Sequence, residues 1–459
     1  MIVVGAGIWG ASLALRLAES GRRVTLIERL AGDDPRRASA GETRLVRSAH
    51  GTSEFYAQMA WHSTREWLAL NKRVGEEIFL PQGVMWFGRE ADGWEARSAE
   101  VLKNLDIPCT LLDSAEAARF YPELRHDDLA TVLYEPQAGV VRARRATEVI
   151  TGLAQDAGVT LIRGTARPAG QGVAGISDGD AAGHGGDAAR QGGNAGGHGG
   201  DAAAHGGDAA AQGGDAAAQG GDAAESGDGA AGRDGMADSD AVAGRKAGRK
   251  AVGGVSAVGR GVGRGVGRAV VVDGEVMVAD QVVWACGAWL PGLFEGLPIT
   301  VTRQDTTHFA AGWTGVPAFC DYSASAYGHG DIGGHGMKIT SDVEGEPGFD
   351  PESARGEVLP SSERRARDYL ARRFPSLAEV PLGLTQVCQY AITPDAEWII
   401  TEIDEGVWVL GGDSGHGFKH APALATYLTS VLNGEADIAP RFGLHPRESV
   451  RGLRTSGDT

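Results

Sequence analysis

The chain has 459 residues, enough for two domains with substantial cores, and a formal net charge of −17 that argues against nucleic acid or an anionic membrane as its main partner. Its four cysteines, Cys109, Cys286, Cys320 and Cys388, are too few and too scattered for a disulfide framework or a paired-cysteine metal site, so no metal is expected and a reducing, cytoplasmic setting fits best. No apolar run is long enough to span a bilayer, and the apolar first twenty residues lack a basic start and contain the glycine turn and Glu19, so they read as fold and not as a secretion signal.

The chain opens on Ile2-Val3-Val4, followed directly by Gly5-Ala6-Gly7-Ile8-Trp9-Gly10. Residues 11–19 have helical spacing, with Leu13, Ala14 and Leu17 on one face and Gly21 as the stop; Val24-Thr25-Leu26-Ile27 then forms a second strand with Glu28 at its tip. In that order Gly5 permits a tight turn, Gly7 lets a pyrophosphate approach the backbone, and Gly10 lets the helix pack on the strand. The phosphates would sit at the positive helix end, and Glu28 falls where a carboxylate accepts hydrogen bonds from an adenosine ribose. Strand, glycine turn, helix and acid in register make this a dinucleotide site.

Residues 55–70, with Met59, Trp67 and Leu68, read as an amphipathic helix, and residues 80–87 as a turn into a strand. Ser114-Ala115-Glu116 opens a short helix that Pro122 closes; residues 145–157 are helical in pattern and 159–162 form a strand. Residues 169–268 are Gly, Ala, Asp and His, with a seven-residue near-repeat beginning at Asp201, Asp208, Asp215 and Asp222. Large apolar residues are missing from the repeat, so a coiled coil is excluded and a solvated, disordered insertion in a surface loop is expected. Its basic second half, from Arg245 to Arg268, leaves a polyanion-binding reading open, and His184, His198 and His205 a loose metal one.

Val270-Val271-Val272 and residues 275–278 flank Asp273-Gly274, a hairpin signal, so the insertion interrupts a β-meander and is not a domain linker. Residues 282–289 run as a buried strand into a small-residue turn, and residues 300–342 are strand-rich. A helix follows over 362–374, strands over 388–392, 398–401 and 407–410, and a last helix over 419–432 capped by Gly434. The tail after Pro440 is polar and expected to be loose.

Three segments could carry chemistry. In Gly41-Glu42-Thr43-Arg44-Leu45-Val46-Arg47 the two arginines share a face if the segment is helical and could grip an anion, or they are simply solvated. Cys388 within an apolar strand is equally a small core residue. Ser414-Gly415-His416-Gly417-Phe418-Lys419 is a glycine turn into a helix start, whose N–H groups favour negative charge on a bound ring or oxygen.

Residues 5–10 with Glu28, together with residues 41–47, 284–289, 326–338, 387–395 and 414–422, in this order and at these separations, resemble the monomeric sarcosine oxidase family of FAD-dependent amine oxidases. The resemblance covers nearly all the chain except the insertion and the tail. It implies an α/β fold with a Rossmann-like FAD-binding domain (1–80, 139–168, 269–297, 386–440) interleaved with an antiparallel-sheet substrate domain (81–138, 298–385). It also implies a monomeric oxidase of a small amine bearing a carboxylate, with molecular oxygen as acceptor and FAD bonded covalently to Cys388. By the same resemblance, Arg47 and Lys419 hold the substrate carboxylate, Arg44 and His416 lie beside the flavin, Lys338 promotes the reaction with oxygen, and Tyr327 and Tyr390 line the substrate cavity. Thr43, Gly415 and Gly417 fall on its cofactor-binding motifs. The chain departs from the family pattern at Ala40, Thr52, Asp342 and Ala391, which leaves the carboxylate clamp intact but changes the amine side; Asp342 facing the cavity would favour a more cationic or larger amine. A flavin dehydrogenase, or a tailoring oxidase forming a cyclic imine, is the alternative within the enzyme class.

Overall fold

A short parallel strand, Ile2–Val4, sits at the centre of a six-stranded sheet and sets the architecture. In spatial order the strands are Ile399–Asp404, Val407–Gly411, Val282–Trp284, Ile2–Val4, Thr25–Glu28 and Thr160–Arg163. All neighbours are parallel except the first pair, and the central strands are apolar and buried throughout, as a sheet covered on both faces requires. Helices Ile8–Glu19, Ala143–Asp156 and Ala421–Leu432 pack together on one side, sharing a core that includes Leu13, Leu17, Ile150, Leu424 and Leu428. The structure is a computed structural model and describes residues 1–169, 267–343, 345, 347–353 and 356–449.

An eight-stranded, mostly antiparallel sheet holds Leu382–Ile392, Thr300–Phe309, Met337–Ser341, Ala326–His329, Ala318–Asp321, Val84–Gly88, Thr131–Glu135 and Thr110–Leu112 in that order. The strand expected over 388–392 is longer than its apolar pattern suggested. Residues 382–387 lack that pattern and are held by pairing with Thr300–Phe309, a partner far away in sequence. The expected helix over residues 145–157 is Ala143–Asp156, the one near 114 carries an Asp113/Glu116 capping box, and the last helix ends with Gly434 at φ 75°.

The Asp273-Gly274 hairpin forms as expected, with φ of 47° and 94° at the two turn residues. Its first strand also pairs with Ala166–Pro168, and the Ala169 N–H donates to the Ala269 carbonyl at 3.1 Å. The chain therefore leaves and re-enters this small sheet between adjacent strands. The repeat, the histidines of residues 184–205 and the basic stretch from Arg245 to Arg264 lie outside the described residues.

Two sequence expectations are corrected. The tail is not loose up to residue 449: Phe442 is fully buried, and Arg447 donates to Asp395 at 2.6 Å and to the carbonyls of Glu397 and Gly443 at 2.9 Å each. A single arginine satisfying several carbonyls anchors a segment whose composition is polar. The segment around Arg44 is a strand, Thr43–Val46, paired with Gly139–Arg142, and not a helix. Arg44 turns to the Ala38 carbonyl and Cys388, whereas Arg47, just past the strand, turns to the Ala49 carbonyl, His50 and Trp86, so they do not form one anion grip.

Candidate active site

The turn after Ile2–Val4 has little freedom. Gly5 adopts φ 99°, where a Cβ would lie 2.5 Å from the Ala285 carbonyl oxygen, and a Cβ on Gly10 would lie 1.9 Å from the Gly5 oxygen. Gly7 is different: it caps helix Ile8–Glu19 without a side-chain cap bond, and a Cβ there meets nothing nearer than Ser39 Oγ at 3.5 Å. The helix start thus has open space over Gly7, as a phosphate needs. Gly10→Ala is expected to destabilise the protein by about 1–3 kcal/mol through backbone overlap, whereas Gly7→Ala should fold normally. Denaturant unfolding of the two variants checks this, and equal stabilities would contradict it.

Glu28 stands at the end of its strand, accepting from the Ala6 N–H at 2.9 Å and the Leu30 N–H at 2.8 Å. Arg37, which sequence reading passed over, is buried 3.6 Å from that carboxylate and donates to the Ala6 carbonyl at 2.5 Å. Burial lowers the Arg37 pKa, with Glu28 acting against the shift. Each Glu28 oxygen keeps a second lone pair for a ligand hydroxyl.

Beside the glycine turn lies a cleft of about 740 Å³, counting the space open to solvent, lined by Gly7, Ile8, Trp9, Arg44, Ala288, Cys388, Tyr390 and Gly415 among others. Arg44 is fixed on its wall: Nη1 donates to the Thr43 carbonyl and Nη2 to the Ala38 carbonyl, both at 2.7 Å, and Nη2 lies 3.3 Å from Cys388 Sγ. Burial opposes the Arg44 charge, but Cys388, Tyr327, Tyr390 and Asp413 outweigh it and hold the pKa above its ordinary value. Gly415 is required where it stands, since at φ 73° a Cβ would lie 2.6 Å from the Tyr390 ring. Gly417 supports Trp9: the indole Nε1 donates to its carbonyl at 3.0 Å, and a Cβ would strike the ring at 2.3 Å.

Lys338 is buried on the middle of strand Met337–Ser341, its Nζ 3.4 Å from the Thr43 carbonyl, 3.5 Å from Thr43 Oγ1 and 5.6 Å from the Tyr327 ring centre. The strand Thr43–Val46 therefore reaches Lys338 through Thr43 and Cys388 through Arg44. Asp342 follows the end of the Lys338 strand, its N–H donating to the Ser325 carbonyl at 2.6 Å, and it is absent from the cleft lining.

Arg47 and Lys419 assemble elsewhere. Arg47 Nη1 donates to the Ala49 carbonyl at 2.7 Å and lies 3.2 Å from His50 Nε2, with its guanidinium 4.7 Å over the Trp86 ring. Lys419 Nζ donates to the His416 carbonyl at 2.9 Å. Both cations act on His50 and His420, whose pKa values are held well below the ordinary range by burial first and by Lys419 next. His416 is buried, its Nε2 donating to the Ala396 carbonyl at 3.0 Å.

His50, His416 and His420 bring one ring nitrogen each within 4.8 Å of one another, a spacing that invites a metal ion. Charge decides otherwise. His50 Nε2 already faces an Arg47 N–H at 3.2 Å, and Lys419 also acts on His50 and His420, so a metal cation there would lose one nitrogen ligand and meet two positive charges. Sequence reading missed His50 and His420 because single histidines among apolar residues carry no spacing signal; only the Arg47 and Lys419 motifs beside them could have drawn attention.

Buried His50 and His420 set an acid limit. Along with His308, pushed down to about 3 by burial and Lys338, and His329, also lowered by burial first, they stay neutral in the fold but protonate when it unfolds. Their contribution is fully present above pH 6.5 and is lost as pH falls toward the folded values, at about 1.4 kcal/mol per pH unit per histidine. Glu95, Glu135 and Glu397, raised by burial, act in the opposite sense above pH 4.5 and offset part of this. Unfolding midpoints should fall steeply between pH 7 and pH 5.5; a flat profile would remove this account.

The chain is 26% identical over 166 residues to a monomeric sarcosine oxidase of Bacillus sp. (strain B-0618), an alignment covering 36% of this chain and 43% of that protein. It is 24% identical over 162 residues to an N-methyl-L-tryptophan oxidase of Yersinia pestis (strain Pestoides F), covering 35% and 44%. The matched stretch thus spans less than half the length of these curated relatives. Among solved structures, an L-proline dehydrogenase from P. horikoshii shares the fold, with a TM-score of 0.67 and 17% identity over 96% of this chain and 94% of that one. No described helix is long and apolar enough to cross a membrane. Residues 1–214 and 241–431 match the family model described as DAO, FAD dependent oxidoreductase, and the chain belongs to that family.

Proposed function

We propose that the protein oxidises a secondary or N-methyl amino acid with molecular oxygen, giving an imine and hydrogen peroxide, with FAD bonded through Cys388. The observation that carries this reading is the cleft in which the open helix start at Gly7, the Cys388 thiol and the Arg44 guanidinium face one space. The residues suit FAD: Gly7 leaves room for a pyrophosphate, Glu28 retains lone pairs for a ribose, and the apolar walls suit a flat ring.

Bound there, FAD would supply a two-electron acceptor for oxidation of the amine, with oxygen as the final acceptor. The protein's part is placement and charge. Arg47 and Lys419 grip the substrate carboxylate, which orients the adjacent C–H bond and converts an encounter into a fixed geometry. Arg44, its charge favoured by its surroundings, stabilises negative charge on the cleft's occupant, and Lys338 does the same for charge developing on oxygen. Tyr327 and Tyr390 shape the cavity, and His416 lies beside the ring. In this reading the sheet formed by residues 81–138 and 298–385 carries the substrate side. The substrate is a small amine with a carboxylate, and the enzyme works as a cytoplasmic monomer.

Two measurements test this. Acid-denatured protein should pellet yellow, and Cys388→Ala should release its colour to the supernatant. A screen of N-methyl and cyclic amino acids should find one that yields one peroxide per amine consumed; reduction of the flavin without peroxide would point to the dehydrogenase alternative.

A further inference from the structure

Three histidines outside the cleft lead from Lys338 toward solvent. His308 and His329 are the cross-strand partners of Lys338 on its two neighbouring strands, so all three side chains share one face of the sheet. His308 and His329 are each 1% exposed, whereas the His335 side chain is 39% exposed, 3.6 Å from Glu42, which also pairs with Arg144. Ring centres lie 6.1 Å apart for His308 and His329, and 6.4 Å for His308 and His335.

The hydrogen bonds fix how these rings are protonated. His329 Nδ1 lies 2.6 Å from the Gly330 carbonyl, which can only accept, so Nδ1 carries the proton. Nε2 therefore accepts from the Thr43 hydroxyl at 2.8 Å, and Thr43 Oγ1 faces Lys338 Nζ at 3.5 Å. His308 Nδ1 donates in the same way to the Leu384 carbonyl at 3.3 Å, leaving its Nε2 as an acceptor. A neutral imidazole with one N–H and one lone pair is the form able to take a proton on one side and give one on the other. The separations between rings are those that one water, or a ring turn, closes.

We propose that His335, His308 and His329, with the Thr43 hydroxyl, form a proton route between solvent and the Lys338 ammonium. This rests on the oxidase reading for its purpose. Reduction of oxygen to peroxide consumes two protons with two electrons, and the electrons come from the amine through the cofactor. The column moves protons only. When Lys338 gives up a proton, His335 and the His308 Nε2 lone pair hand one inward from water to His329, which as an imidazolium keeps its Nδ1–H on Gly330 and gives the Nε2 proton to Thr43 Oγ1 as Thr43 passes its own to Nζ, each step breaking one N–H or O–H bond and making another. Loss of the Lys338 charge also removes one of the influences that hold His308 and His329 neutral, so each becomes a better proton acceptor when it is needed.

Packing alone would also place rings here, and the two roles separate under substitution. Phe at position 308 keeps a ring and ends relay; Gln keeps a donor for Leu384 and ends relay; His335→Gln alters only the half-exposed end. In flavin-loaded protein with 15N-labelled histidine, the solvent exchange rate of the His329 Nδ1 proton is measured by NMR without turnover. It should slow by at least tenfold in His308→Phe and His308→Gln, and less in His335→Gln. In stopped flow, reoxidation of the reduced protein by oxygen should slow in the same order, with an altered solvent deuterium isotope effect. Unchanged exchange in both position-308 variants, with the wild-type melting temperature, would overturn the route. Wild-type protein that makes no peroxide while exchange still depends on His308 would instead overturn the oxidase reading.

Discussion

Lys338→Met is expected to slow the reaction of the reduced protein with oxygen by roughly 10²–10³-fold, the usual cost of losing one preorganised charge partner in a water-poor site. Methionine keeps the length and apolar stem of the side chain, so the packing against Tyr327 survives and the loss reports charge. The ammonium is only 2% exposed, and holding a cation there is costly unless the site uses it. Its surroundings suit a cation: Thr43 presents two oxygens to it, and His308 and His329 are both pushed toward neutrality. Stopped-flow mixing of anaerobically reduced protein with oxygen gives the rate. Arg in place of Lys338 retains the charge with different geometry and should recover part of the loss. A Lys338→Met variant that reoxidises at the wild-type rate would assign oxygen activation to some other group.

The strand–turn–helix–strand opening was legible because its signal is local. Gly5, Gly7, Gly10 and Glu28 fall within one strand–helix–strand unit; Gly5 and Gly10 meet backbone constraints, and Gly7 leaves open space at the helix start. The Asp273-Gly274 hairpin and the capping box at Asp113 are local in the same sense. What failed was set by distant partners. Thr43–Val46 is a strand because Gly139–Arg142 pairs with it, and that pairing separates Arg44 from Arg47. Residues 382–387 extend their strand by the same means. Arg37, His50, His308 and His420 lie in the site region only because the chain folds back on itself, and no periodicity marks them.

Replacing Arg47 or Lys419 by methionine is expected to reduce kcat/KM for a carboxylate-bearing amine by about 30- to 3000-fold, the equivalent of about 2–5 kcal/mol for truncating one partner of a buried ionic hydrogen bond. The corresponding amine without a carboxylate should lose far less, because only the gripped group is affected. Arg47 is pre-set by the Ala49 carbonyl, His50 Nε2 and the Trp86 face, so its guanidinium presents donors without reorganising. Trp86 in turn donates to Glu135, which also accepts from the Ser48 and Ala49 N–H groups, so the loop that carries Arg47 is tied to the sheet. Lysine at position 47 restores charge but neither the fork nor the stacking on Trp86, and should recover only a fraction. If both cations bind one anion, the double variant should lose less than the product of the single losses. Equal losses for both amines would mean that the two cations shape the fold and not the carboxylate site.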